Sequence, residues 1–398
     1  MVLQSRRDYL EAIRNRYRKA GRKEKSVILG EFCATCGYNR KYAIRLLRKR
    51  QLKSSNRKPG PDFRYDREQL LLPLKRIWFA TDQMCSKKLK AAVPLWLPFY
   101  EDEYETLLPD VRQKLLAMSP ATIDRMLKPL RATFKKGRCS TKPGTLLKNQ
   151  IPVKTHNWDV TRPGFFEADT VAHCGNSMAG DFVSSLTFTD IFSGWTENRA
   201  VWGRGSQGVL HQIRNIEERI VFPILGFDCD NGSEFLNYHL VRYFTDRPKA
   251  PVQFTRSRPY RKNDNAFVEQ KNWTHVRQLL GYDRFENPEL VPVINDLYMN
   301  EWSLFNNYFC PTLKLKEKQR INSRYIKKYE SPQTPYQRLL GSNDVSVDAK
   351  RTLEMVYNSL NPFKLKRKID DKLKSIFHTV RLPNPRCSLR TSFGYLLP

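Results

Sequence analysis

Asp169, Asp230 and Glu269 are the residues whose type and setting point most directly to chemistry. Asp230 closes the run Phe227-Asp228-Cys229-Asp230, which reads as a buried strand. Asn231-Gly232-Ser233-Glu234-Phe235 follows, a turn and then a helix predicted to be capped by Ser233. Glu269 stands in Asn265-Ala266-Phe267-Val268-Glu269-Gln270, a predicted helix behind a basic loop. Asp169 lies in the middle of the strand-like Phe165-Phe166-Glu167-Ala168-Asp169-Thr170-Val171. Carboxylates on rigid elements suit a hard divalent cation such as Mg2+. Two such ions about 4 Å apart activate a water or 3′-hydroxyl nucleophile and stabilise the leaving oxygen. The three acids span about a hundred residues of chain, so their meeting depends on the fold.

Neighbouring acids compete for the same work. Asp228 precedes Asp230 by two residues and Glu167 precedes Asp169 by two, which puts each pair on one strand face. The Asn-Gly turn sets Asp230 at the strand mouth, where ligands gather, and favours it over Asp228. Glu234 is expected to serve the start of its helix, Asp190 to end a strand, and Asp264 to cap the helix of Glu269. On that helix Asn272 and Trp273 share the face of Glu269, Arg277 lies to one side and Lys271 points roughly opposite. Asn272 and Arg277 are therefore candidate DNA contacts, and Trp273 is divided between core and site. Arg256, Arg258, Arg261 and Lys262 crowd one loop beside the acids and suit phosphates.

The elements that must position these acids follow from residue pattern. Three strands, near 165–171, 182–190 and 196–202, are separated by Gly175, Gly180 and Ser193-Gly194 and read as an antiparallel meander. A helix at 207–220 follows, then strand 223–230, helix 233–244, strand 252–255 and helix 265–280. Three strands, helix, strand, helix, strand, helix is a ribonuclease-H-like order, a five-stranded mixed sheet with helices in an α/β core.

Asp169-Thr170, Asp230-Asn231-Gly232-Ser233-Glu234-Phe235 and Asn265-Ala266-Phe267-Val268-Glu269 resemble the three acidic motifs of the retroviral-integrase superfamily. Within it the chain is most similar to integrase-type bacterial insertion-sequence transposases, over roughly residues 160–320. The resemblance implies that Asp169, Asp230 and Glu269 are Asp-Asp-Glu ligands of two Mg2+ ions, with Mn2+ as a substitute. It also implies cleavage and strand transfer at the 3′ end of a mobile element. The chain departs from the pattern in three ways. Between Asp230 and Glu269 stand 38 residues where many integrases have 35, the Gly often found before the final Glu is replaced by Asn265-Ala266, and no amino-terminal His/Cys zinc module is visible.

Charge supports a polyanionic partner. The 398 residues carry 70 Lys and Arg against 40 Asp and Glu, a net +30. Neutralising phosphates with such an excess releases condensed counterions. The excess is +14 over residues 1–60, +7 over 61–160, +1 over 161–280, −4 over 281–310 and +12 over 311–398. Basic ends around a nearly neutral, acid-bearing middle suit double-stranded DNA.

Residues 1–58 read as a helix-turn-helix module, with Asn39, Arg40, Lys41 and Arg45 facing the groove. Residues 62–140 read as a second helical DNA-binding module, 141–163 as a linker, 164–310 as the catalytic core and 311–398 as a basic carboxy-terminal region, for which solvated charge and DNA or protein contact both remain open. Cys33 and Cys36 are read as core thiols because no second ligand pair stands near them. With no signal peptide and no apolar run long enough to span a bilayer, a cytoplasmic, nucleoid-associated protein without membrane contact is expected. Joining two DNA ends implies at least a dimer. A DNA-binding regulator that has lost the reaction, and a ribonuclease of the same fold class, are the alternatives.

Overall fold

In the computed structural model the residues described are 3–48, 65–133, 160–203, 205–230, 232, 234–247, 251–256, 266–321 and 324–381. They fall into two units, Met1–Arg64 and Tyr65–Pro398.

The first unit is helical: α1 (Leu3–Lys19), α2 (Arg22–Cys36) and α3 (Arg40–Arg48). Ile28, Leu29, Phe32 and Cys36 of α2 and Ala43 and Leu47 of α3 recur at helical spacing and bury against Tyr17 and Ala20. Gly37 ends α2 at φ 68°, its N–H bonding back to Cys33 O, and Asn39 Oδ1 accepts the Lys41 N–H at the start of α3.

The sheet organises the second unit. β1 (Phe165–Ala172), β2 (Val183–Asp190) and β3 (Thr196–Trp202) form the meander. β4 (Gly226–Cys229) and β5 (Gln253–Arg256) add on the other side of β1, both parallel, giving the order β3-β2-β1-β4-β5. The parallel connections run through α8 (Ser206–Arg219) and α9 (Tyr238–Thr245). β2 is buried along its whole length, as a strand covered on both faces must be. This five-stranded mixed sheet with its helices fits a ribonuclease-H-like fold.

Gly164 fixes the entry to β1. It adopts φ +115°, and an added Cβ would lie 2.7 Å from Pro223 O. Its carbonyl accepts from the N–H groups of Leu225 at 2.7 Å and Gly226 at 3.1 Å, and its own N–H donates to Asp190 Oδ1 at 2.8 Å. One residue thus ties the starts of β1 and β4 to the end of β2.

After β5 come α10, which runs α-helical over Ala266–Lys271, π-wound over Asn272–Arg277 and α-helical over Gln278–Leu280, and α11, wound the same way through Leu290–Leu297, Tyr298–Trp302 and Ser303–Phe309. Two asparagines of α11 close the edge of β3. Asn295 accepts the Ala200 N–H at 2.7 Å and donates to its carbonyl at 2.9 Å, while Asn307 does the same for Thr196 at 2.9 and 3.0 Å. Edge groups that would otherwise be buried unpaired are satisfied by side chains. Beneath them Arg199, fully buried, pairs with Glu197 at 3.0 Å.

The remaining elements are α4 (Arg67–Ala80), α5 (Ser86–Glu103), α6 (Pro109–Ala117), α7 (Pro120–Thr133), the hairpin β6 (Leu315–Ile321) and β7 (Arg324–Tyr329), α12 (Pro335–Gly341), α13 (Val347–Ser359) and α14 (Pro362–Arg381). The helices of 67–133, the sheet with its helices, and 315–381 lie in one unit, Tyr65–Pro398. Trp96 of α5 explains why. Its ring meets Phe305 and Phe309 of α11 and Phe363 of α14 edge-on, and its Nε1 donates to Phe309 O at 3.0 Å. Burying so large a ring removes the apolar faces that independent domains would each need. Among the described residues no helix is long and apolar enough to cross a membrane.

Candidate functional site

β1 and β4 run side by side with Ala168 opposite Cys229. Asp169 and Asp230 are the next positions on these two strands, Asp230 just past the end of β4. Asp169 accepts from the Thr170 N–H at 2.7 Å and from Asn272 Nδ2 at 2.6 Å. Burial, followed by the charge of Asp230, pushes its carboxyl up to about 7, and Glu269 adds to the rise. The fold therefore brings the three acids into one electrostatic neighbourhood. Glu269 itself is exposed on the first turns of α10.

A fourth acid holds the arrangement in place. Glu167 is fully buried, and its Oε2 accepts the N–H groups of Phe267 at 3.0 Å and Val268 at 2.9 Å. These are among the first N–H groups of α10, which no turn of the helix itself can satisfy. Burial pushes the Glu167 carboxyl up to about 8, against the pull of the Val268 N–H. One carboxylate thus pins the helix of Glu269 to the strand of Asp169, two residues from Asp169 itself. Sequence spacing places Glu167 on the face of Asp169, but nothing local announces its partners a hundred residues away.

Glu234 departs from expectation. The helix after Asp230 begins at Tyr238 and is capped by Asn237, whose side chain accepts the Leu240 N–H at 2.9 Å, so Glu234 does not serve its start, and Ser233 lies outside the described residues. Glu234 is instead buried, accepting from Thr170 Oγ1 at 2.7 Å beside Asp169. Gly232 permits this approach: an added Cβ there would stand 2.6 Å from Glu234 Oε2 and 2.9 Å from Asp230 Oδ1. The Thr170–Glu234 link is a site feature the sequence reading missed; the acid was visible, its direction was not.

The other candidates divide. Asn272 contacts Asp169 directly, so it orients an acid inside the protein. Arg277 donates to Ala172 O at 3.0 Å and to Gly281 O at 3.3 Å and lies over the Tyr282 ring, so its guanidinium is engaged within the chain. Lys271 is buried, donates to Gly194 O at 3.1 Å, and is pushed down to about 7 by burial. Trp273 is 43% exposed, which removes it from the core. Asp228 accepts from Thr255 Oγ1 at 2.6 Å, and Asp190 accepts from Ser193 and Gly164 as a turn carboxylate. Arg256 ends β5 and is exposed, while Arg258, Arg261, Lys262 and Asp264 lie outside the described residues. In the first unit Asn39, Arg40, Lys41 and Arg45 are all exposed; Arg40 donates to Ser26 Oγ at 3.1 Å and Arg45 covers the Tyr42 ring.

Among the described residues no group of three His, Cys, Asp or Glu side chains stands close enough to hold a metal ion. The chemistry of the donor set nonetheless fits one. Asp169 and Asp230 are hard oxygen donors, the charge of Asp230 raises the cost of ionising Asp169, and a divalent cation relieves that repulsion.

The chain is 38% identical to the Uncharacterized protein y4rM of Sinorhizobium fredii over 342 residues, 84% of this chain and 95% of that protein. The chain belongs to the y4rM family. No family model matches it. Among solved structures it is similar to the catalytic core of the BIV integrase, at a TM-score of 0.28 and 15% identity over 44% of this chain and 91% of that one. It is also similar to the HTLV-2 integrase catalytic core in complex with magnesium, at 0.26 and 17% over 38% and 90%. At these scores the overlays add nothing to the sheet order, which carries the fold of this y4rM relative.

Proposed function

We propose that the protein is a metal-dependent DNA transposase that cleaves the 3′ ends of a mobile element and joins them to target DNA. The observation that carries this reading is the convergence on two adjacent parallel strands and one clamped helix: Asp169 on β1, Asp230 beyond β4, and Glu269 on α10 under the Glu167 clamp. Asp169, Asp230 and Glu269 would hold the two Mg2+ ions, or Mn2+ in their place. Bound there, such ions supply an activated nucleophile and a stabilised leaving oxygen.

The chain's own residues do the positioning. Asn272 fixes the carboxylate of Asp169 through its 2.6 Å bond. Glu234, held by Thr170, adds negative charge to the same corner and strengthens its preference for cations. Double-stranded DNA is the proposed partner, with Asn39, Arg40, Lys41 and Arg45 of the helical unit, and Arg256, Arg258, Arg261 and Lys262 between Asp230 and Glu269 in sequence, as the proposed contacts. Joining two ends calls for at least a dimer.

The experiment incubates purified full-length protein and Mg2+ with labelled duplexes copied from the DNA flanking its gene, beside an RNA–DNA hybrid. Cleavage and joining of the duplex, abolished by Asp230→Asn, is the expected result. Undiminished joining by Asp230→Asn sinks the site, and cleavage confined to the hybrid sinks the transposase reading in favour of a ribonuclease.

A further inference from the structure

The hairpin β6–β7 is a basic ribbon that the core chemistry leaves unexplained. From Lys314 to Tyr329 the chain carries seven Lys or Arg and one acid, Glu317. The strands pair antiparallel with Lys318 opposite Lys327, Arg320 opposite Tyr325 and Leu315 opposite Tyr329. Because strand positions alternate between faces, 318, 320, 325, 327 and 329 fall on one side of the ribbon. By register and sequence those five positions are three cations and two tyrosines, with no acid among them. Glu317 belongs to the other side, where it accepts from Lys328 Nζ at 2.8 Å.

Physical chemistry makes such a ribbon costly on its own. A two-stranded hairpin is marginal in water, and like charges directly opposite each other destabilise it further. No third strand joins it among the described residues. Leu315, Ile326 and Tyr329 are 38%, 47% and 46% exposed, so these three side chains contribute little burial in compensation. The base, by contrast, is firmly built. Glu330 N–H donates to Lys314 O at 2.9 Å, Lys314 Nζ donates to Phe192 O at 2.9 Å, and Arg338 donates to Ser193 O at 3.0 Å and to Thr312 O at 2.8 Å. The turn at residues 191–194, which accepts from Lys314 at Phe192 O and from Arg338 at Ser193 O, also receives Lys271 of α10 at Gly194 O.

We propose that β6–β7 is a DNA-gripping arm whose 318/320/327 side neutralises phosphates of the duplex acted on at the acid site. A two-stranded ribbon fits the major groove of B-DNA, about 12 Å wide. Tyrosines between cations suit contact with sugar and phosphate. Anchoring on a turn shared with α10 couples the arm to the helix of Glu269. The choice of DNA as occupant rests on the transposase reading together with the sign of the charge.

The test measures anisotropy of a fluorescein-labelled mixed-sequence duplex of about 30 bp, longer than one helical turn of DNA, across a NaCl series. It compares the full chain with its Lys318→Gln/Arg320→Gln/Lys327→Gln variant. Three lost phosphate contacts lower the slope of log K against log[salt] by about 2.7. The variant's Tm should hold or rise, since a like-charge pair is gone. If the triple variant unfolds, Lys327→Gln alone is read on the same plot, with a drop of about 0.9. An unchanged slope in a folded variant overturns the arm, as does displacement of the duplex by an equal charge of poly-glutamate, which indicates an acidic protein partner. Arm-dependent binding without DNA joining refutes the transposase reading and leaves the arm standing; joining with an unchanged slope does the reverse.

Discussion

Acid should unfold this protein partly through His173, and the effect can be isolated. His173 is fully buried, stacked on Phe285 with ring centroids 4.7 Å apart, and its Nε2 shares a hydrogen bond with Ser185 Oγ at 2.8 Å. Burial, with a further contribution from Arg277, pushes it down to about 3. The unfolded chain takes up the proton near pH 6.5 while the folded one does not, so stability is intact above pH 6.5 and is lost as pH falls toward 3. The loss is about 1.4 kcal/mol per pH unit, or about 2 kcal/mol by pH 5. Buried carboxyls work in the opposite direction: Glu167, Asp169 and Asp190 are pushed up to about 8, 7 and 6, mainly by burial, and bind protons in the folded state first. The whole-protein pH curve therefore mixes both signs. The difference between wild type and His173→Gln does not, because the carboxyls are common to both. Urea unfolding at pH 7, 6 and 5 should show the wild type losing about 2 kcal/mol more than the variant between the extremes. Parallel curves would mean that His173 charges freely in the folded state, and the burial argument would be wrong.

Three further outcomes are expected. Glu167→Ala should expose the Phe267 and Val268 N–H groups, so hydrogen exchange over 266–271 should quicken at least about tenfold, corresponding to the loss of about 1.4 kcal/mol of local stability; unchanged exchange would show that the clamp is not needed. Arg199→Met leaves Glu197 buried without its cation and should cost about 3–5 kcal/mol in chemical denaturation, with a loss below 1 kcal/mol counting against a real ion pair. Gly164→Ala forces a Cβ into Pro223 O and a left-handed backbone, costing about 1–3 kcal/mol; an unshifted Tm would contradict the contact.

The strands and the acids on them were legible because each is a local matter. Phe165–Val171 is apolar enough to be a strand wherever it lies, and Asp230 is followed by a Gly turn that ends one. What escaped was set by partners distant in sequence. Glu234 looked like a helix-start acid because the helix seemed to begin at Ser233; in the fold Asn237 takes that place and Glu234 turns to Thr170, 64 positions away. Asn295 and Asn307 read as ordinary polar positions on a helix, and only the edge of β3 gives them a purpose. The helices of 67–133 carry their own apolar stripes, so they looked self-sufficient; that Trp96 inserts between α11 and α14 depends on packing no stripe reveals.

Trp96 also says something about how the chain must be made. Its indole meets a carbonyl 213 positions downstream and a ring of α14 beyond that. A ribosome extending the chain at about 5–20 residues per second would deliver Phe363 more than ten seconds after Trp96. Over that interval Trp96 lacks its native cover from α11 and α14, and closing so long a loop is slow and entropically opposed. The helices of 67–133, complete early in synthesis, thus carry one large ring that stays uncovered until the far end of the chain is made.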